Sequence, residues 1–233
     1  MKNPFNNNPE PVPAASQLAV MPFLAAVEGF LNIGRAVPGL RITIHRTVNR
    51  EGQLYLQQIC GYVQKDRLDW QGKVGRTFPV SRGIMGAAFK DHHVWRTKKI
   101  ASLTTLRSLL AKDIKKTKAD DDPEKVAVSF LAVPLLGPSD EPVLILYADC
   151  NELNFFADNA RVANVVAMGR GFCGMFDWMQ VNPMLNLRNF PNQPGKFGAG
   201  KPTVYASVQE SLTELQPPRF KSVVSFNYEA AAA

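Results

Sequence analysis

The stretch Phe78–Lys90, FPVSRGIMGAAFK, sets a serine, an arginine and two glycines where a strand-like run passes into a short helix. A corner of this kind can hold an anion, because the first N–H groups of a helix lack intrahelical acceptors and glycine lets another group come close. A phosphate-cradling loop requires GxxxxGK[ST] and a dinucleotide fingerprint GxGxxG; neither pattern occurs. The corner therefore reads first as scaffold. Ser81 is expected to cap the helix that begins near Gly83, and Gly83 and Gly86 to let it pack closely on a sheet. Anion contact through the free N–H groups stays open beside this, with Arg82 as its side chain.

The other chemically capable residues form no complete catalytic set. His92 and His93 are adjacent, so in a strand they point to opposite faces and cannot share one metal, and His45 is remote in sequence. Cys60, Cys150 and Cys173 lie far apart in apolar company, with no CxxC and no metal spacing. They read as buried reduced thiols of a cytoplasmic protein; a redox pair of Cys60 and Cys150 is the alternative. Asp149 closes the run LILYAD and either caps the next turn or faces a cavity. Tyr62, Phe78, Phe89, Trp95, Phe130 and Tyr147 read first as core packing and second as the lining of a ligand site.

These residues must be placed by the elements around them. The 233 residues are 45% hydrophobic, enough for a core of ordinary size, and carry a formal charge of +7. That charge attracts polyanions. Its densest stretch is Lys98–Lys118, where interleaved leucines suggest an amphipathic helix with a solvated face beside acidic Asp120–Asp122. Nucleic-acid contact thus has no motif behind it. No apolar run reaches the roughly 18 residues a membrane helix needs, and QLAVMPFLAAV lacks the flanks of a signal peptide.

Residues 1–16, rich in Asn and Pro, read as a flexible arm. A helix follows from Ser16 with Pro22 in its first turn, then two strand-like runs, Arg41–Val48 and Gln53–Val63, about an Asn49–Gly52 turn. Short strands at Arg76–Val80 and HHVWRT flank the helix of the opening stretch. A helix over Ala101–Lys118, the paired runs VAVSFLAVPLLG and PVLILYADC, and a long helix over Phe155–Trp178 complete the order. The order describes an α+β fold, a central antiparallel β-sheet with helices packed on its faces. Residues 180–233 are Pro- and Gly-rich and read as an extension outside the core, with a short helix over Val204–Leu215 as one option.

Taken in order, ITIHRTVNREGQLYLQQICGY, FPVSRGIMGAAFKDHHVW, SFLAVPLLG and PVLILYADCNELNFFADNARVANVVA resemble successive blocks of a GAF domain over about residues 20–178. The matching anchors are Gly61, Gly83, Ile84, Gly86, Ser129, Pro134, Leu135, Phe156 and Asn159, with Asp158 one position early. The resemblance implies a GAF/PAS-like sheet over residues 17–179 with a ligand cavity on one face, and often a homodimer through terminal helices. It implies no single ligand or cofactor, since family members bind cyclic nucleotides, tetrapyrroles, small metabolites, metal centres or nothing. The free methionine sulfoxide reductase branch carries a cysteine cluster between the Gly-x-x-Gly helix and the Pro-Leu strand. Here no cysteine lies between Gly61 and Asp149.

The expectation is a cytoplasmic sensory or protein-interaction domain without catalysis of its own. Its ligand site would draw on Tyr62, Phe78, Arg82, Phe89, Trp95, Phe130, Tyr147 and Asp149. Its signal would pass to another chain, with the C-terminal extension as the partner surface because Pro-rich segments with apolar anchors dock in extended form. A nucleic-acid-associated protein and a thiol redox enzyme are the alternatives.

Overall fold

The computed structural model describes residues 14–50, 52–64, 74–113, 127–181 and 203–221. The N-terminal arm up to residue 13, the lysines beyond Asp113, Asp120–Asp122 and residues 182–202 fall outside them. Seven strands form one antiparallel sheet in the order β3-β2-β1-β6-β5-β4-β7. The strands are β1 (Arg41–Arg50), β2 (Gln53–Gln58), β3 (Thr77–Pro79), β4 (Val94–Thr97), β5 (Ser129–Leu136), β6 (Pro142–Cys150) and β7 (Gln209–Leu212).

Side-chain alternation divides the sheet between two layers. Ile42 and Ile44 of β1, Leu144 and Leu146 of β6, and Leu131 and Val133 of β5 point to one face. That face is covered by α1 (Ala14–Leu31) and α4 (Asn159–Val181) through Leu24, Val27, Val162, Val166 and Phe172. The opposite face presents Leu56, Ile145, Ala132 and Trp95 to Ile84, Ala87, Ala88 and Phe89 of α2 (Gly83–Asp91). A third cluster of Ile100, Leu106, Val128 and Val208 holds α3 (Leu103–Asp113) at the strand ends. Strand β6 is thus covered on both faces, which is why its sequence runs apolar without alternation.

Several local expectations are corrected. Strand β1 runs past Val48 to Arg50, which pairs with Gln53, and Gly52 takes φ +78. Strand β1 is not half-exposed: Thr43 and His45 are as buried as Ile42 and Ile44. Pro22 lies inside α1 rather than in its first turn, where it withholds one N–H from the helix ladder. Ser81 makes no capping hydrogen bond. Arg82 holds the cap position of α2 in extended conformation without a side-chain capping hydrogen bond, while the Arg82 carbonyl accepts from Gly86 N–H. His92 is not in a strand; it closes α2 in the left-handed region and donates its N–H to Ala88. Asp158, one position early for the family pattern, is the working cap of α4, its Oδ1 accepting from Ala160 N–H at 2.9 Å.

The largest difference is at the C-terminus. Residues 203–221 do not lie outside the core. Thr203 N–H reaches the Ser81 carbonyl, Val204 packs on the α2 cluster, and β7 pairs with the β4 edge opposite Val94–Thr97. The chain then crosses to the other layer, where Phe220 is fully buried beside Phe172 and Phe176. Ala206 to Val208 turns rather than forming a helix. Two uncharged apolar anchors and four main-chain pairings with β4 outweigh the Pro-rich composition that suggested a free extension.

Candidate functional site on the α2 side of the sheet

Strand register gathers one polar group on the sheet face that α2 covers only in part. Phe130, Asp149 and Arg41 stand side by side on β5, β6 and β1, and the next row on that face is Trp95, Ala132, Tyr147 and Thr43. Asp149 is 2% exposed and receives both forks of Arg41, Nε and Nη2 each at 2.8 Å. The Tyr147 hydroxyl donates to the same carboxylate at 2.9 Å. Tyr62 lies under the Arg41 guanidinium, 4.7 Å from its ring centroid. Two rows along β1 from Arg41, His45 sits edge-on to Phe78 at 5.5 Å and to Tyr147 at 6.4 Å.

Burial fixes the charge states. The Asp149 hydrogen bonds push Arg41 further up from its already high value, so its cation is permanent. Burial, then the Asp149 charge, raises Tyr62 and Tyr147, which keeps both phenols protonated. Burial lowers His45 to about 3 against the opposing pull of the Ile145 backbone, and the nearby Arg76 cation adds to the lowering, so its imidazole is neutral. The result is a fixed array of donors and acceptors with a neutral imidazole at its side.

The same face carries buried polar atoms without partners. His45 Nδ1, Trp95 Nε1 and Ser211 Oγ find no hydrogen-bond partner among the described residues. Ser211 on β7 is directly opposite Trp95 on β4. An orphaned buried donor or acceptor costs free energy until something pairs with it. These atoms mark where a polar molecule, solvent included, would be held.

Of the residues singled out by sequence, Tyr62, Phe130, Tyr147 and Asp149 gather at the Arg41 end of this face. Phe78, Phe89 and Trp95 belong to the cluster packed beneath α2. Arg82 is exposed at the start of α2, on the solvent side of the corner. Asp149 lies on the sheet face, its carboxylate held by Arg41 and Tyr147. Sequence reasoning missed Arg41, Thr43 and His45. Their period-two spacing with Thr47 and Asn49 was visible, but it reads equally as a solvated strand face until the partner strand is known.

The three cysteines are free and buried in the α1/α4 layer. Burial pushes Cys60 up to about 11, Cys150 up to about 12 and Cys173 higher still, so each is a thiol at neutral pH. Among the described residues, no three His, Cys, Asp or Glu side chains converge as metal ligands, and no helix is long and apolar enough to cross a membrane.

No family model and no curated protein matches the chain. Solved structures similar to it include a type II free methionine-R-sulfoxide reductase from Thermoplasma acidophilum, at 11% identity and TM-score 0.41 over 66% of this chain and 90% of that one. They also include an IclR-type transcriptional regulator from Alicyclobacillus acidocaldarius, at 15% identity and TM-score 0.36 over 66% of this chain and 63% of that one. The phycocyanobilin-bound GAF domain of a cyanobacterial phytochrome is similar at 13% identity and TM-score 0.34, over 67% of this chain and 90% of that one. These likenesses are distant and concern the fold.

Proposed function

We propose that the chain is a GAF-like regulatory domain that holds a small polar molecule on the α2 side of its sheet, performs no catalysis of its own, and passes the state of that site to a protein partner. The observation that carries this reading is the pairing, on one face, of a saturated Arg41–Asp149–Tyr147 array with orphaned buried polar atoms at His45, Trp95 and Ser211. Saturated groups orient a ligand without reacting with it, and orphaned ones gain a partner when it arrives. The permanent cation, protonated phenols and neutral imidazole favour recognition over proton transfer at neutral pH. Thiols held protonated by burial weigh against the redox reading.

Native mass spectrometry of freshly purified protein tests the proposal. The expected result is a bound small molecule retained by the wild-type chain and lost from Tyr147→Phe and Thr43→Val, both of which keep the ion pair. A wild-type spectrum with no adduct, together with full occupancy of the site by ordered solvent in a crystal, would leave the fold as an assembly module only.

A further inference from the structure

Trp95 and Ser211 leave two hydrogen-bond donors unpaired side by side. They stand directly opposite each other on β4 and β7, on the face that α2 covers, and opposite side chains of an antiparallel pair sit about 5 Å apart at Cβ. Trp95 is 8% exposed, yet its Nε1 and the Ser211 Oγ are buried without a partner among the described residues. The segment leading into β7 lies against the same helix. Val204 packs on the α2 cluster, and Thr203 N–H donates to the Ser81 carbonyl just before α2 begins.

The hydrogen-bonding capacity left over here is one-sided. An indole N–H can only donate, and the hydroxyl beside it has a proton to place. In the next row of the same two strands, Thr97 Oγ1 accepts from Phe130 N–H at 2.9 Å and Gln209 Oε1 from Tyr205 N–H at 3.3 Å, so the neighbouring acceptors already hold a donor each. A water would accept from Trp95 and Ser211 but bring two protons of its own. One carbonyl oxygen, with two lone pairs and no proton, answers both donors. Charge then separates a neutral carbonyl from a carboxylate. Arg41 is locked on Asp149, Lys98 donates to the Ala206 carbonyl, and Arg76 lies over Phe78 next to β3, five places from β4 in the sheet. His45 is neutral, and Arg82 and Lys90 at the two ends of α2 are exposed. An anion buried at Trp95 would have no counter-charge, which disfavours it far more than an uncharged carbonyl.

We propose that Trp95 Nε1 and Ser211 Oγ together bind the oxygen of an uncharged carbonyl group, that of an amide, lactam or ketone. The proposal rests on the reading that the α2 side of the sheet holds a small polar molecule, and it names the chemical class of that molecule.

Acetamide, acetate and acetamidinium share one shape and differ in charge, so they serve as probes. In proton–nitrogen correlation spectra of the isotope-labelled full-length chain, the indole N–H of Trp95 is the resonance that Trp95→Phe removes. Titrated at equal concentrations, acetamide should move that resonance downfield and saturably, while acetate and acetamidinium leave it in place. Ser211→Ala should weaken the acetamide response about 2- to 10-fold, the contribution of one hydrogen bond. Acetate acting as strongly as acetamide overturns the proposal. So does a resonance unmoved by all three probes, or a response that Ser211→Ala leaves unchanged. Native mass spectra separate this from the reading beneath it. An adduct held by Ser211→Ala as firmly as by the wild-type chain refutes the carbonyl contact and leaves the α2-side ligand standing, whereas a wild-type chain without any adduct counts against the ligand itself.

Discussion

His45 carries a charge state that the fold imposes. Its pKa falls from 6.5 to about 3 through burial, so the unfolded chain takes up a proton that the native chain refuses. The stability this group contributes is therefore full above pH 6.5 and is lost as pH falls towards 3. The slope approaches about 1.4 kcal/mol per pH unit within that window. Urea midpoints between pH 7 and 5 should drop for the wild-type chain, and His45→Gln should flatten the drop while lowering the plateau. Arg41 acts in the opposite sense. Arg41→Met leaves the Asp149 carboxylate buried with the Tyr147 hydroxyl alone, a loss of about 2–3 kcal/mol at neutral pH given that Arg41 itself is partly solvated. Adding Asp149→Asn to that variant should recover part of the loss, and a double-mutant cycle by denaturant titration measures the coupling. A cycle with no coupling would show that Arg41 is held by solvent rather than by Asp149.

At the scale of elements, glycines in two helices make contrasting predictions. A Cβ on Gly86 would lie 2.7 Å from Ser81 C and Val80 O, both backbone atoms that cannot swing aside. Gly86→Ala should cost about 1–3 kcal/mol by forcing α2 off the 80–81 turn. Gly171 in α4 faces open space, so Gly171→Ala should add about 0.5–1 kcal/mol by helix propensity. Thermal unfolding of both variants checks the pair. The same corner shows how much the sequence disclosed. The two glycines were enough to place α2, but only Gly86 makes the close approach expected of both, while Gly83 faces open space at φ +59. Ser81 was misread as a cap because serine at that position suits one, whereas the backbone bends so that Arg82 takes it. The hairpin, the β5–β6 pair and α4 were legible from alternation, turn residues and a long apolar stripe. The polar array was only half legible. Asp149 and Tyr147 stand out at the end of an apolar strand, but Arg41 lies 108 positions away, and only strand register brings it opposite. The docked segment left no periodic signal, since its hold comes from main-chain pairing with β4 and from Phe220.

For the molecule as a whole, the sheet order sets a gradient of stability. Strands β1, β6 and β5 lie inside the sheet with partners on both sides and the largest apolar burial, while β3 and β7 form its edges. Amide hydrogen exchange should be slowest in Ile42–Ile44 and Val143–Leu146 and fastest in Gln209–Leu212, with the last set sensitive to Phe220→Ser at a distance of eight residues. Uniform exchange across all strands would mean that the C-terminal segment unfolds only with the whole chain. The net charge of +7 adds a second expectation at this scale: any association with a polyanion should weaken steeply with salt, because phosphate contacts release counterions.

The two outermost strands are short, β3 with three residues ending in Pro79 and β7 with four. A sheet bounded in this way offers little template for further pairing, which is how globular chains avoid polymerising through their edges. Beneath β7 lies β4, and two strands further in lies VLILY, a run with the composition of an aggregation core. The C-terminal segment is therefore also a guard. Proteolytic loss of residues 203–221 would bare β4 along one side, and the damage should show first as fibrous or amorphous assembly rather than as simple unfolding.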